Sequence, residues 1–217
     1  IANSAGGVGK TTLAHCLAVS FAEFGKKTLL IDLDPAGALT FRLGFENPRI
    51  SLVDFFNGLK ANDSNIETTP ERFDFIPADA RLTSLSPVDA LSNLISNLPK
   101  EYDLVLLDLP ASLSQPFALA LTVADLLLVP VRNNVHSLRG YLQVKSAAGK
   151  VPVSAVAIGT NSFISGADLL DEEIVESSEI EIAATTKVSI LTSAKSGDVA
   201  ESYRSAGYSI LEKLGLE

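Results

Sequence analysis

Short apolar runs alternate with longer amphipathic stretches along this chain, the pattern of βα units winding a mostly parallel sheet with helices on both faces. Near-continuous apolar runs predict strands at 28–32, 73–77, 104–109, 126–131 and 154–160, as expected of strands buried on both sides. Ile1, Ala2 and Asn3 read as the end of a further strand whose first few residues precede Ile1. Helical periodicity predicts helices at 11–24, closed by Gly25, and at 52–60, 87–98, 135–148 and 196–214. The acidic stretch 166–181 has weak periodicity and reads as a short helix with a surface loop. Asp32, Asp34, Asp108 and Asn161 all fall at carboxyl ends of predicted strands, where open α/β sheets bind their ligands.

Composition narrows the class. With 217 residues and 47% hydrophobic content, the chain suits one α/β domain over 1–217, large enough for a central sheet covered on both faces. The longest apolar run, 125–131, is too short to span a bilayer and contains Pro130, so no membrane partner is expected. A net charge of −9 argues against a globally basic nucleic-acid binder, though not against a local basic patch. The single cysteine, Cys16, lies among apolar helical residues and reads as a buried small side chain in a reducing, cytoplasmic setting. His15 and His136 are isolated, and no spacing of Cys, His and Glu suggests a transition-metal site.

The segment Ser4-Ala5-Gly6-Gly7-Val8-Gly9-Lys10-Thr11-Thr12 carries the clearest chemistry. Glycines let backbone N–H groups turn inward around a phosphate, a lysine at the helix start reaches the β- and γ-phosphates, and Thr11 offers its hydroxyl to Mg2+. Asp108 ends the most apolar strand, where an ionised carboxylate needs a cation or a donor, so it is assigned to Mg2+ through water. Asp32 is expected to support the Mg2+ shell or the following loop.

The loop departs from the common pattern by carrying Ser4 where a glycine is usual and a Gly6-Gly7 pair. In this it resembles the deviant Walker A box of the ParA/MinD family of ATPases. Asp32-Leu33-Asp34-Pro35 is similar to the family's first switch, Asp108-Leu109-Pro110 to its second, and Ala194-Lys195-Ser196-Gly197 to the turn before its last helix. The resemblance implies an ATPase in which Lys10 and Asp34 are catalytic, Asp34 orienting the attacking water, and Asn161 reads adenine. It also implies an ATP-sandwiched homodimer that binds nonspecific nucleoid DNA and is reset by a small activator protein.

Three positions depart from the family. Its signature lysine falls on Ala5, its Pro-Arg pair near adenine on Thr186-Lys187, and the Gln after its first switch on Ala36. A member without the signature lysine is similar to the carboxysome-positioning, McdA-like branch. It needs another cation near the γ-phosphate, with Lys145 the first candidate and Lys150 the second. Lys187, Lys195, Arg204 and Lys213 are the candidate DNA contacts. The alternatives are a MinD-like membrane-surface ATPase or a metabolic P-loop ATPase or ligase.

Overall fold

Because successive side chains on a strand point to opposite faces, an unbroken apolar strand feeds two cores at once. The computed structural model, which describes residues 1–83, 87–99, 101–160 and 169–217, shows this division in all its strands but the short, exposed pair Glu67–Thr68. Its strands are β1 (Thr28–Asp32), β2 (Glu67–Thr68), β3 (Asp74–Ile76), β4 (Leu104–Asp108), β5 (Leu127–Arg132) and β6 (Val153–Ile158). Leu30 of β1, Leu106 of β4 and Leu128 of β5 enter one apolar cluster; Leu29, Ile31, Leu107, Leu127 and Val129 enter the other.

The described helices are α1 (Lys10–Glu23), α2 (Ala38–Arg42), α3 (Leu52–Phe56), α4 (Ala90–Ser96), α5 (Gln115–Leu121), α6 (Val135–Ala147), α7 (Glu179–Thr185), α8 (Ile190–Ser193) and α9 (Asp198–Leu214). Helices α1, α7, α8 and α9 contribute to the first cluster, and α3 to α6 contribute to the second. Leu13 through Phe21 of α1 are all buried, as befits a helix apolar around its whole circumference and enclosed by others. His15, isolated in sequence, is paired inside this layer: Nε2 lies 2.5 Å from Glu71 Oε2. Glu71 Oε1 accepts the Ser189 amide and hydroxyl, so one carboxylate ties α1 to the start of α8.

β1 pairs in parallel with both β3 and β4, β2 adds an antiparallel edge to β3, and β5 pairs in parallel with β6. The predicted strand at Ile1 to Asn3 connects the two sets. The Leu109 amide donates to the Ile1 carbonyl at 3.3 Å, and the Ala2 amide donates to the Leu128 carbonyl at 2.9 Å. The N-terminal segment therefore runs between β4 and β5. Below it, the facing edges of those strands line an apolar cleft of about 580 Å3.

Local chemistry moves several predicted boundaries. The helix expected over 52–60 stops at Phe56, because Asn57 caps it and Gly58 turns left-handed at φ 98°. The helix expected over 87–98 contracts to α4, preceded by a turn in which the Ala90 amide bonds to the Pro87 carbonyl. In the 166–181 stretch, residues 166–168 lie outside the described residues. Leu169 and Ile174 bridge to Ala155 and Ile158 of β6, and the helix begins only at Glu179.

Candidate functional site

Asn3 decides where the glycine loop leaves the sheet. Its buried Oδ1 accepts the Ala5 amide at 2.9 Å, while Nδ2 donates to the Pro130 and Ser137 carbonyls at 2.9 and 3.4 Å. Helix α6 presses against this turn. A Cβ on Gly140 would stand 1.9 Å from Asn3 Oδ1 and 2.9 Å from the Ala5 nitrogen, so only glycine permits the approach. The Ser4 hydroxyl adds a 2.5 Å bond to Gln143 Oε1 of the same helix.

The chain then turns through Gly7 at φ 70° and Gly9 at φ 100°, conformations that cost side-chain-bearing residues about 1 kcal/mol or more. A Cβ at Gly6, Gly7 or Gly9 would meet nothing within 4 Å, so the inner surface of the loop faces open space. Val8 is buried beneath it. Lys10 opens α1 and arches back, its Nζ donating to the Ala5 carbonyl at 3.0 Å. Burial lowers its pKa, opposed by the charges of Asp108 and Asp34. The Thr12 hydroxyl accepts from Arg42 Nη1 at 2.8 Å, which leaves its own hydrogen available to the cleft. Exposed backbone donors, a helix N-terminus and a lysine converge here on space suited to a polyphosphate.

Beside the loop stand two carboxylates in register, Asp32 opposite Asp108. Asp32 is engaged by its own loop: Oδ1 accepts the Asp34 amide at 2.9 Å, and Oδ2 accepts the Thr40 amide and hydroxyl at 3.0 and 2.8 Å. Of the two offices expected of it, the geometry displays the loop one. Burial pushes its pKa up to about 6. Asp34 is half-buried at the cleft edge, with Oδ1 accepting the Ala36 amide at 2.9 Å.

Asp108 is different. It is 1% exposed, and neither carboxylate oxygen has a hydrogen-bond partner in proper geometry, although the Thr11 hydroxyl is near enough to favour ionisation. Burial and then the charge of Asp32 raise its pKa to about 7. A buried carboxylate without donors fits a divalent cation, and one carboxylate with one hydroxyl is the sparse oxygen set that Mg2+ uses while keeping several waters.

The loop opens on a cleft of about 600 Å3, with Lys10, Thr11 and Asp34 at one end and Arg132, Ile158 and Glu176 at the other; Asp32 and Asp108 are buried and do not line it. Lys145 does not line it; that residue is exposed on α6, with Nζ 5.9 Å from the centre of the Tyr141 ring. Lys150 is exposed just beyond α6. Lys187 turns to Glu46 at 3.2 Å, and Asn161 lies outside the described residues. Asn3, Thr40, Gly140 and Arg132 were not anticipated. Asn3 left one signal, a polar residue closing an apolar segment directly before the glycine loop.

Loop, lysine and strand-end carboxylates define the class: a P-loop nucleotide-binding α/β fold. Residues 1–154 match the family model described as AAA domain, and the chain belongs to that family, in the company of ParA- and Soj-type proteins. It is 31% identical over 157 residues to the sporulation initiation inhibitor protein Soj of Bacillus subtilis (strain 168), covering 66% of this chain and 61% of Soj. It is 35% identical over 166 residues to the chromosome partitioning protein ParA of Caulobacter vibrioides, covering 70% of this chain and 61% of ParA. These matches thus reach over less than two thirds of either relative.

Among solved structures the fold is similar to Pyrococcus horikoshii MinD complexed with Mg-ADP, at TM-score 0.80 and 20% identity, covering 99% of this chain and 96% of that one. It is similar to Mycobacterium smegmatis cobyrinic acid a,c-diamide synthase with bound ATP analog and magnesium, at 0.79 and 22%, covering 98% and 93%. It is also similar to apo McdA of Cyanthece, at 0.78 and 18%, covering 96% and 97%.

Proposed function

We propose that this chain is an ATP-driven positioning switch that binds ATP with Mg2+, hydrolyses it, and alternates between an ATP-bound homodimer and a released state. The observation that carries the reading is the convergence of the glycine loop, Lys10, Thr11 and Asp34 on one cleft, with Asp108 buried next to Thr11. Lys10 and the loop amides hold the phosphates, and Thr12 donates its free hydroxyl hydrogen to them. Thr11 and Asp108 hold Mg2+, which when bound neutralises charge on the phosphates. Asp34 orients the attacking water, a task of positioning rather than covalent chemistry. Asn161 takes the base, as in the family's pattern.

Dimerisation is supported by the face of α6 that carries Val135 and Leu142, which are 73% and 54% exposed and seven residues apart on one side of the helix. In the dimer Lys145 reaches the partner's nucleotide and takes the place of the signature lysine that Ala5 replaces. The ATP-bound dimer holds nonspecific DNA in the nucleoid and carries a cargo such as carboxysomes or plasmids, with an activator protein stimulating hydrolysis. Ala5 together with the fold likeness to McdA favours the carboxysome branch.

Retention on nonspecific duplex DNA with ATP, ADP or no nucleotide, over a salt series, tests this reading. Binding with ATP alone, weakening steeply with salt, is expected. Equal failure with all three contradicts it. A metabolic P-loop enzyme, which the fold likeness to the synthase favours, then becomes the leading reading. ATP-dependent capture by liposomes points instead to a membrane-surface switch.

A further inference from the structure

The cleft has a second end that the phosphate chemistry does not use. Arg132 and Ile158 close β5 and β6 in register with each other, as Asp32 and Asp108 close β1 and β4. The segment that delivers the glycine loop runs between these pairs, hydrogen-bonded to Leu109 on one side and Leu128 on the other. A nucleoside triphosphate with its terminal phosphate and metal beside Asp34 and Asp108 therefore extends away from them across the loop. Its base and ribose arrive at Arg132 and Ile158.

That end is built for a flat, partly apolar group. Ile158 and Ile180 line it, and Arg132 is the only cation other than Lys10 among the described residues lining the cleft. Arg132 is held in place from two directions. Its amide donates to the Ser137 hydroxyl at 2.9 Å, and its Nη1 donates to Glu176 Oε1 from the opposite wall. Its Nε is buried without a partner. Lys187 is turned away toward Glu46 and adds no charge here. A guanidinium held at its edge by a carboxylate keeps its planar faces open, and planarity is what distinguishes arginine from lysine against an aromatic ring.

We propose that Arg132, braced by Glu176, grips the nucleoside end of the bound nucleotide by stacking on its base. The proposal rests on the nucleoside-triphosphate reading of the cleft, and its test separates the two. Calorimetric titration of wild type, Arg132→Ala, Arg132→Lys and Glu176→Gln with Mg-ATP, Mg-ADP and Mg-tripolyphosphate reads each contact. Arg132→Ala and Arg132→Lys are expected to weaken ATP and ADP binding about tenfold while leaving tripolyphosphate within about twofold of wild type. Glu176→Gln, at an exposed side chain, is expected to weaken ATP about threefold, again sparing tripolyphosphate, and keeps the test open should Arg132→Ala fold poorly. Unchanged ATP binding in all three variants overturns the grip, as does full rescue by lysine. An equal loss for tripolyphosphate moves Arg132 to the phosphates and also overturns it. Wild type that binds neither ATP nor tripolyphosphate overturns the reading of the cleft itself.

Discussion

At Asp108 the fold buries a carboxylate with no hydrogen-bond donor in proper geometry and only the nearby Thr11 hydroxyl to favour ionisation, and this leaves a signature in pH. Folded Asp108 keeps its proton to about pH 7, against an ordinary value of 3.8. Asp32 shifts in the same direction, to about 6. Between those values the folded chain binds more protons than the unfolded one, so stability without ligand falls as pH rises from about 4 to about 7 and then levels. Glu71 acts oppositely at lower pH. Against burial that would raise it, His15 with the Thr192 and Ser189 hydroxyls holds Glu71 down to about 2, and that stability is lost only as pH falls below 4.5 toward 2.

Asp108→Asn removes the main cost and is expected to raise metal-free stability at pH 8 by about 1–3 kcal/mol while abolishing the extra stabilisation that Mg2+ gives with nucleotide. Denaturant melts at pH 5 to 8 with and without Mg2+ measure both effects; a variant less stable than wild type without metal contradicts the assignment. Asp34→Ala, at the cleft edge, is expected to keep ATP affinity and lose hydrolysis about a hundredfold or more. Steady-state phosphate release measures it, and an unchanged rate removes Asp34 from the water-positioning role.

The loop residues were legible in sequence because their geometry is local, with Gly7, Gly9 and Lys10 set by adjacent backbone angles. Asn3, Thr40 and Arg132 were not, because each acts through partners placed by the fold: Asn3 on Pro130, Thr40 on Ala78 and Arg132 on Glu176.

At the scale of elements, α6 sets the loop as much as the glycines do. Gly140→Ala is expected to cost about 1–3 kcal/mol and to weaken nucleotide binding, since the new methyl displaces Asn3 and the Ala5 amide together. A thermal melt and an ATP titration of the variant check the pair. Loss of stability with unchanged affinity would uncouple α6 from the loop.

The long strands were readable because burial on both faces writes an unbroken apolar run. α2 and α8, of five and four residues, are too short to show a helical period, and α5 has barely two turns. The end of α3 was misplaced because apolar residues continue past the point where Asn57 and Gly58 stop the helix.

Across the whole molecule the acidic balance confines any DNA contact to a few cations. Arg204 is committed to Glu23 at 2.6 Å and to the Lys195 carbonyl at 2.7 Å, and Lys187 to Glu46, which leaves exposed Lys195 and Lys213 of the four candidates. In the proposed DNA-binding dimer, both lysines presented twice would make about four phosphate contacts, so the log–log salt slope of duplex binding is expected at about −3.6, about −0.9 per contact. A slope near zero in a DNA-binding dimer would place the contact elsewhere. Sequence listed four cations without their partners, and only the fold shows which carboxylates neutralise two of them.

The central claim, that the cleft is a nucleotide site organised by Lys10, is tested most directly by calorimetric titration of Mg-ATP into wild type and Lys10→Ala. One saturable site in wild type and none measurable in Lys10→Ala is the predicted result. Equal binding by both proteins, or none by wild type, would contradict it.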